Sequence, residues 1–289
     1  MPNSWHGQPL ACHPVIDGVP NLYGYQPSLA AAVFFSILFS ILMILHIVQC
    51  VRRQTWWCMA FVIGCLVEVL GWSARIWSAK CPYSKSAFLM QLSTLIIAPT
   101  FFSAGIYLLL GYIIRLFGQK SSYFRSGCYF WFFSACDLVS LAVQAVGGGL
   151  ASAALSAHRD MADGTHIMIA GIAFQLASTL AFAVCMVDCV FRAVYPKQDT
   201  IPRGVLFLFA GMVLSVLCIC VRSIYRLAEL SQGWTGYLIT HEKYFIILDA
   251  VMMAIAVGVF VIFHPSVMIS ASNLRVERRY RELAPISVT

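Results

Sequence analysis

Seven apolar stretches of about 20 residues or more recur along this chain, joined by short connections. A helix of about 20 apolar residues spans the roughly 30 Å hydrocarbon core of a bilayer. Only helices and closed barrels satisfy every backbone amide there. The stretches fall near residues 28–50, 56–77, 88–115, 127–149, 165–191, 204–228 and 243–264. The predicted fold class is all-α, a polytopic membrane protein built as a seven-transmembrane helix bundle. Composition agrees: 60% of the residues are hydrophobic and only 11% are charged, too few charges for a soluble surface on 289 residues. The implied organisation is an N-terminal tail over 1–27, a seven-helix domain over 28–265 and a C-terminal tail over 266–289.

Basic residues set the expected orientation. With the N-terminus outside, twelve Lys and Arg fall in cytoplasmic segments: Arg52, Arg53, Arg115, Lys120, Arg125, Arg192, Lys197, Arg203, Arg275, Arg278, Arg279 and Arg281. Four (Lys80, Lys85, Arg159 and Lys243) lie outside. That bias predicts an extracytoplasmic N-terminus and a cytoplasmic C-terminus. The formal charge of +7 follows from this topology, and no basic run suits nucleic acid. No cleavable signal peptide is evident in the first 27 residues, so the first helix is expected to act as the signal anchor. Of eleven cysteines, only Cys12 and Cys81 then face an oxidising compartment. They are either a disulfide tying the tail over the bundle or two unrelated thiols.

Charge inside the apolar stretches is the other constraint. Glu68, Arg75, Asp137, Arg222, Arg226, Glu229, Glu242 and Asp249 all sit within or at the rim of them. An unpaired ion in hydrocarbon costs several kcal/mol, so such groups face a bundle interior or a watery cavity. Helix polarity places all of them between the midplane and the outer face. Asp137, Ser140 and Gln144 share one face of the fourth helix by their i, i+3, i+7 spacing. Glu68 and Arg75, like Glu242 and Asp249, lie seven apart, about 10 Å of rise, too far to pair within one helix. The expected pairs are Arg222 with Asp249 or Glu68, and Arg226 with Glu229 or Glu242. Such a network either locks helices in register or lines a polar cavity open to the outer side, and its one-sided placement favours the cavity. Pro99, mid-way along the third helix, is expected to kink it and free a carbonyl. Gly147-Gly148-Gly149 reads as a frayed helix end leading into the 150–164 loop, ahead of the alternative of close helix packing.

Other classes lack their residues. There is no phosphate-binding loop for an ATP-driven pump, no metal-ligand spacing of His or Cys, and no nucleophile elbow. No cofactor, metal site or catalytic set is expected, and the chain reads as a non-enzyme.

Tyr25-Gln26-Pro27-Ser28-Leu29-Ala30-Ala31, Gly64-Cys65-Leu66-Val67-Glu68-Val69-Leu70-Gly71 with Arg75, and Ala98-Pro99 with Ala104 and Tyr107 resemble the fungal RTA-like lipid-translocating exporter family. So do Asp137 with Gln144, Gly171 with Gln175, Arg222-Ser223-Ile224-Tyr225-Arg226 with Glu229 and Gly233, then Glu242, Asp249 and His264-Pro265. The chain departs from the pattern at Ala32, where Asn is expected, and at Tyr112, where Arg is usual. The resemblance implies a multi-pass protein of the fungal plasma membrane, or of an endomembrane. Members are associated with aminocholesterol resistance, sphingoid long-chain-base export and protoporphyrin uptake. Gln175 joins the candidate substrate contacts on this ground. The function expected is export or flipping of an amphipathic lipid-like molecule, with Glu68, Asp137 and Asp249 as acidic contacts for an amine. A protonation step at Glu68 or Asp249 would couple movement to a proton gradient. Membrane lipids or amphipathic small molecules are the expected partners, and no nucleic acid is. The alternative is a seven-transmembrane receptor or sensor.

Overall fold

The computed structural model describes residues 4–5, 8–9, 12, 23–117, 126–157, 159–194, 203–234 and 236–264. Seven helices within them are long and apolar enough to cross a membrane. They are α1 (Leu29–Arg53), α2 (Met59–Lys80, preceded by a 3₁₀ turn at Trp56–Cys58), α3 (Lys85–Phe117), α4 (Ser126–Ser156), α5 (Ala162–Val194), α6 (Arg203–Ser231) and α7 (Glu242–Ile262). Most run about a turn beyond the apolar stretches at one or both ends. Helical hydrogen bonding continues into the headgroup layer, where hydropathy no longer marks it. Among the described residues the one strand pair, Ser4–Trp5 with Gln8–Pro9, is two residues long and lies in the tail. The expected cytoplasmic cations Lys120, Arg125, Lys197 and those of the C-terminal tail lie outside the described residues.

Consecutive helices pack against one another, and α7 closes back onto α1. α3 runs through the middle: its apolar stretch is 67% buried against 22% for α4, and it also meets α6 and α7. Phe39, Phe61, Trp72, Phe102, Ile106 and Phe260 fill the interior, each under 2% exposed. The outward faces of α1 and α4 carry Phe34, Ile37, Trp131 and Leu138 toward lipid. Ser28 caps α1 by accepting a hydrogen bond from the amide of Ala31 at 3.3 Å.

The glycine triplet corrects its sequence reading. α4 does not fray there but runs on to Ser156. A Cβ on Gly147 would lie 2.6 Å from the Met168 amide nitrogen, and one on Gly164 would lie 2.4 Å from that of Ala151. Gly147 and Gly164 let the two backbones touch, as small residues do between membrane helices. Gly149 faces open space.

α7 is irregular. Residues Ile246–Val251 form a π-helical segment that contains Asp249. One inserted residue of this kind rotates a side chain off the regular helical face, and such segments are common at functional sites.

Candidate functional site: a charged core capped by the tail

Two helices supply the centre. Arg222 and Arg226 project from one face of α6 toward α7, where the π-helical segment presents Asp249. Asp249 Oδ1 lies 2.5 Å from Arg222 Nε, and its Oδ2 lies 2.7 Å from Arg226. Arg226 also donates to Glu229 Oε2 at 2.9 Å, and Tyr225 donates to the other oxygen of Glu229 at 2.8 Å. All of these residues are under 8% exposed. Both expected pairings, Arg222 with Asp249 and Arg226 with Glu229, occur, and Arg226 bridges two acids.

Arg222 has a further partner that links the site to α3. It donates to the carbonyl of Leu95. Leu95 stands four residues before Pro99, so that carbonyl would receive the amide hydrogen that proline lacks. The guanidinium therefore takes the backbone acceptor that the proline leaves open, and α3 accepts a buried cation without an added carboxylate.

A second pair lies nearer the tail. Arg75 donates to Glu242 Oε1 at 2.7 Å and to the Tyr25 hydroxyl at 2.8 Å. The Ser28 amide donates to the same glutamate oxygen at 2.9 Å. The ring of Phe245 joins the two clusters, with the Arg75 guanidinium carbon 4.5 Å from its centroid and that of Arg226 at 5.1 Å. Cation–π contacts of this kind strengthen when desolvated.

The tail contributes a lid. Gly24 adopts φ of 72°, a left-handed turn that turns Tyr23 and Tyr25 inward. Tyr23 donates to Gln91 Oε1 at 2.9 Å and exchanges a hydrogen bond with Ser78 Oγ at 2.8 Å. Burial pushes the Tyr23 phenol up to about 12, so it stays a hydrogen-bond donor across physiological pH. Burial also raises the Tyr25 phenol, partly offset by Arg75. Cys12 is disulfide-bonded to Cys81 in the turn after α2, across 69 residues. Under this lid lies a cavity of about 40 Å³, bordered by Tyr23, Tyr25, Arg75, Gln91, Arg226 and Glu229. At about 10–15 Å³ per water, it holds a few waters. The expected open pocket is thus largely closed by ion pairing.

Charge balance singles out one group. Three arginines (75, 222, 226) meet three acids (229, 242, 249), and Glu68 is left over. Glu68 is 2% exposed, accepts a 3.3 Å hydrogen bond from Trp72 Nε1 and forms no salt bridge among the described residues. Its Oε1 is buried without a hydrogen-bond partner there. It lies within electrostatic reach of Arg222 and Asp249 but does not border the cavity.

Three expected members of the site lie elsewhere. Asp137 accepts a 3.1 Å hydrogen bond from Tyr107, twelve residues along α3 from Leu95, or about 18 Å of rise. Its helix packs on α3 and α5, and Asp137 meets α3 well along it from the arginine cluster. Gln144 joins Ser140 at 2.7 Å and Gln175 at 3.0 Å, and Gln175 reaches Thr100 at 3.3 Å, a network that fastens α4 and α5 to α3. Residue spacing marks one face of a helix but not which neighbour that face meets. Tyr23, Gln91 and Phe245 escaped the sequence reading, which followed charge; Tyr25 entered it only through the family resemblance, and the Leu95 carbonyl was within reach of it through Pro99.

A family model described as RTA1 like protein matches residues 61–272. The chain belongs to the RTA1-like family. The sphingoid long-chain base transporter RSB1 of Saccharomyces cerevisiae is 37% identical over 281 residues, covering 85% of this chain and 74% of that protein. Protoporphyrin uptake protein 1 of the same organism is 27% identical, covering 83% and 90%. Protein RTM1 is 32% identical over 208 residues, covering 69% and 64%. No solved structure matches this chain. As an RTA1-like protein it is a multi-pass membrane protein, and the relatives named for an activity are transporters rather than enzymes.

Proposed function

We propose that this RTA1-like protein moves an amine-headed, single-chain amphiphile of the sphingoid-base class across the bilayer, with its N-terminus outside and its C-terminus in the cytoplasm. Glu68 carries this reading. A carboxylate in hydrocarbon without a cation must take a proton or a positively charged ligand, and the other acids of the core already hold arginines. An ammonium beside Glu68 and Asp249 completes the count and loosens the arginine pairs that close the cavity. The hydrocarbon chain stays in the bilayer, so only the headgroup is desolvated. Relatedness to a sphingoid long-chain base transporter supports the same substrate class. The basic residues at the Arg53 and Arg115 ends of the helices support the orientation.

Leaflet exchange in proteoliposomes tests it. A labelled 2-amino-1,3-diol of single chain is expected to exchange at a rate proportional to protein, and its N-acetyl derivative is expected not to. Equal exchange of both, or of neither, would overturn the proposal.

A further inference from the structure

A second buried acid lacks a cation among the described residues, and the tyrosine that holds it borders a cavity. Asp137 is 1% exposed, its Oδ2 is held by the Tyr107 hydroxyl, and its Oδ1 is buried without a hydrogen-bond partner. Tyr107 borders a cavity of about 250 Å³ between α3, α4 and the turn before α2, walled also by Trp57, Tyr112 and Arg115. Trp57 and Tyr112 stack at 6.0 Å across it. Arg115 also borders it, in the last turn of α3, eight residues or about 12 Å of rise from Tyr107. Among the described residues, none of the charged core borders this cavity.

Beside it runs an apolar groove of about 530 Å³ on the lipid face of α4 and α5, floored by Phe132, Phe133, Ala181 and Cys185. Trp131, 74% exposed, borders both the cavity and the groove. Phe133 packs on the Tyr107 ring with centroids 5.6 Å apart. A mainly aromatic chamber, whose Tyr107 hydroxyl leads back to the Asp137 carboxyl, thus adjoins an aromatic trough. Long aromatic side chains at this depth suit a hydrocarbon chain, and Tyr107, whose proton goes to Asp137, keeps its oxygen as an acceptor for an ammonium.

We infer that the Arg115 end holds a second amphiphile site, in which Tyr107 and Asp137 take the ammonium headgroup and the groove over Trp131 takes a single hydrocarbon chain. It deepens the proposed function by giving the substrate two stations, one at Glu68 and one at Asp137. The two acids without arginine partners sit on α2 and α4, each of which packs on α3.

Photolabelling of the full chain in nanodiscs tests it, using a single-chain 2-amino-1,3-diol with a diazirine in the tail and its N-acetyl derivative as control. Adducts are expected on peptides spanning 128–133 and 181–185. Loss of a charge-assisted hydrogen bond predicts about tenfold fewer of them with the N-acetyl probe and about tenfold fewer in Asp137→Asn. Trp131→Ala, on the lipid face, is expected to lower the yield there as well, and decides the matter if Asp137→Asn does not fold. Adducts at the Tyr23 end should hold steady in both variants. Equal labelling by the two probes, or full labelling in both variants, would overturn the site. Labelling is read without transport, so a protein that labels here but exchanges nothing would retire the transport reading and leave this site standing.

Discussion

Asp249 has more at stake than any other single side chain. It holds two arginines at once, and a buried charge that loses its partner costs about 3–5 kcal/mol. Asp249→Asn leaves Arg222 and Arg226 with one carboxylate between them, so its thermal midpoint in detergent should fall well below that of the wild type. A double change of Asp249 and Arg222 to neutral residues should recover some of that loss. An unchanged midpoint in Asp249→Asn would show that the pairs contribute nothing net. At this scale the sequence was partly informative. The charges were visible because hydrocarbon makes them costly, and depth anticipated Arg222 with Asp249 and Arg226 with Glu229, but not Arg75 with Glu242 or Arg226 with Asp249. What spacing withheld was the facing helix: Asp137 shares a stripe with Gln144, yet both point away from the arginines. The π-helical turn that aims Asp249 leaves no sequence signal.

Among the elements, α3 and the α4–α5 pair carry the sharpest expectations. Pro99→Ala restores an amide hydrogen for the Leu95 carbonyl, in competition with Arg222. Hydrogen bonds to charged groups contribute about 1.5–3 kcal/mol. Leaflet exchange is therefore expected to drop about tenfold or more while circular dichroism shows undiminished helix. Exchange at the wild-type rate would mean that the freed carbonyl has no role. On α4, Gly147→Leu must push apart backbones that lie 2.6 Å from the added Cβ, whereas Gly149→Leu enters open space. The first should depress the yield of folded protein and the second leave it intact, as read by size-exclusion profile; equal profiles would refute the close contact. Hydropathy found every span because apolar length is a physical requirement for crossing. It missed the last turns, which lie among headgroups, and it misjudged the glycines, whose packing depends on the partner helix.

For the molecule as a whole, the described part of the tail is fastened to the bundle at two places. Tyr23 and Tyr25 reach Gln91, Ser78 and Arg75, and Cys12 is bonded to the turn after α2. Protein taken from cells under thiol block should gain two titratable thiols on reduction beyond those of the nine free cysteines. No gain would separate the tail from the bundle. The wider account is that two acids without arginine partners, Glu68 and Asp137, lie on α2 and α4 of one helix bundle, and that a cationic headgroup visits them. Its most direct test is the exchange rate of the amine-headed probe in Glu68→Gln, with Glu68→Asp alongside. Removing the charge should cut exchange by about tenfold or more, as loss of a charge-assisted contact predicts. The aspartate should keep a measurable share of it. A glutamine variant that folds and exchanges the probe at the wild-type rate would contradict the account.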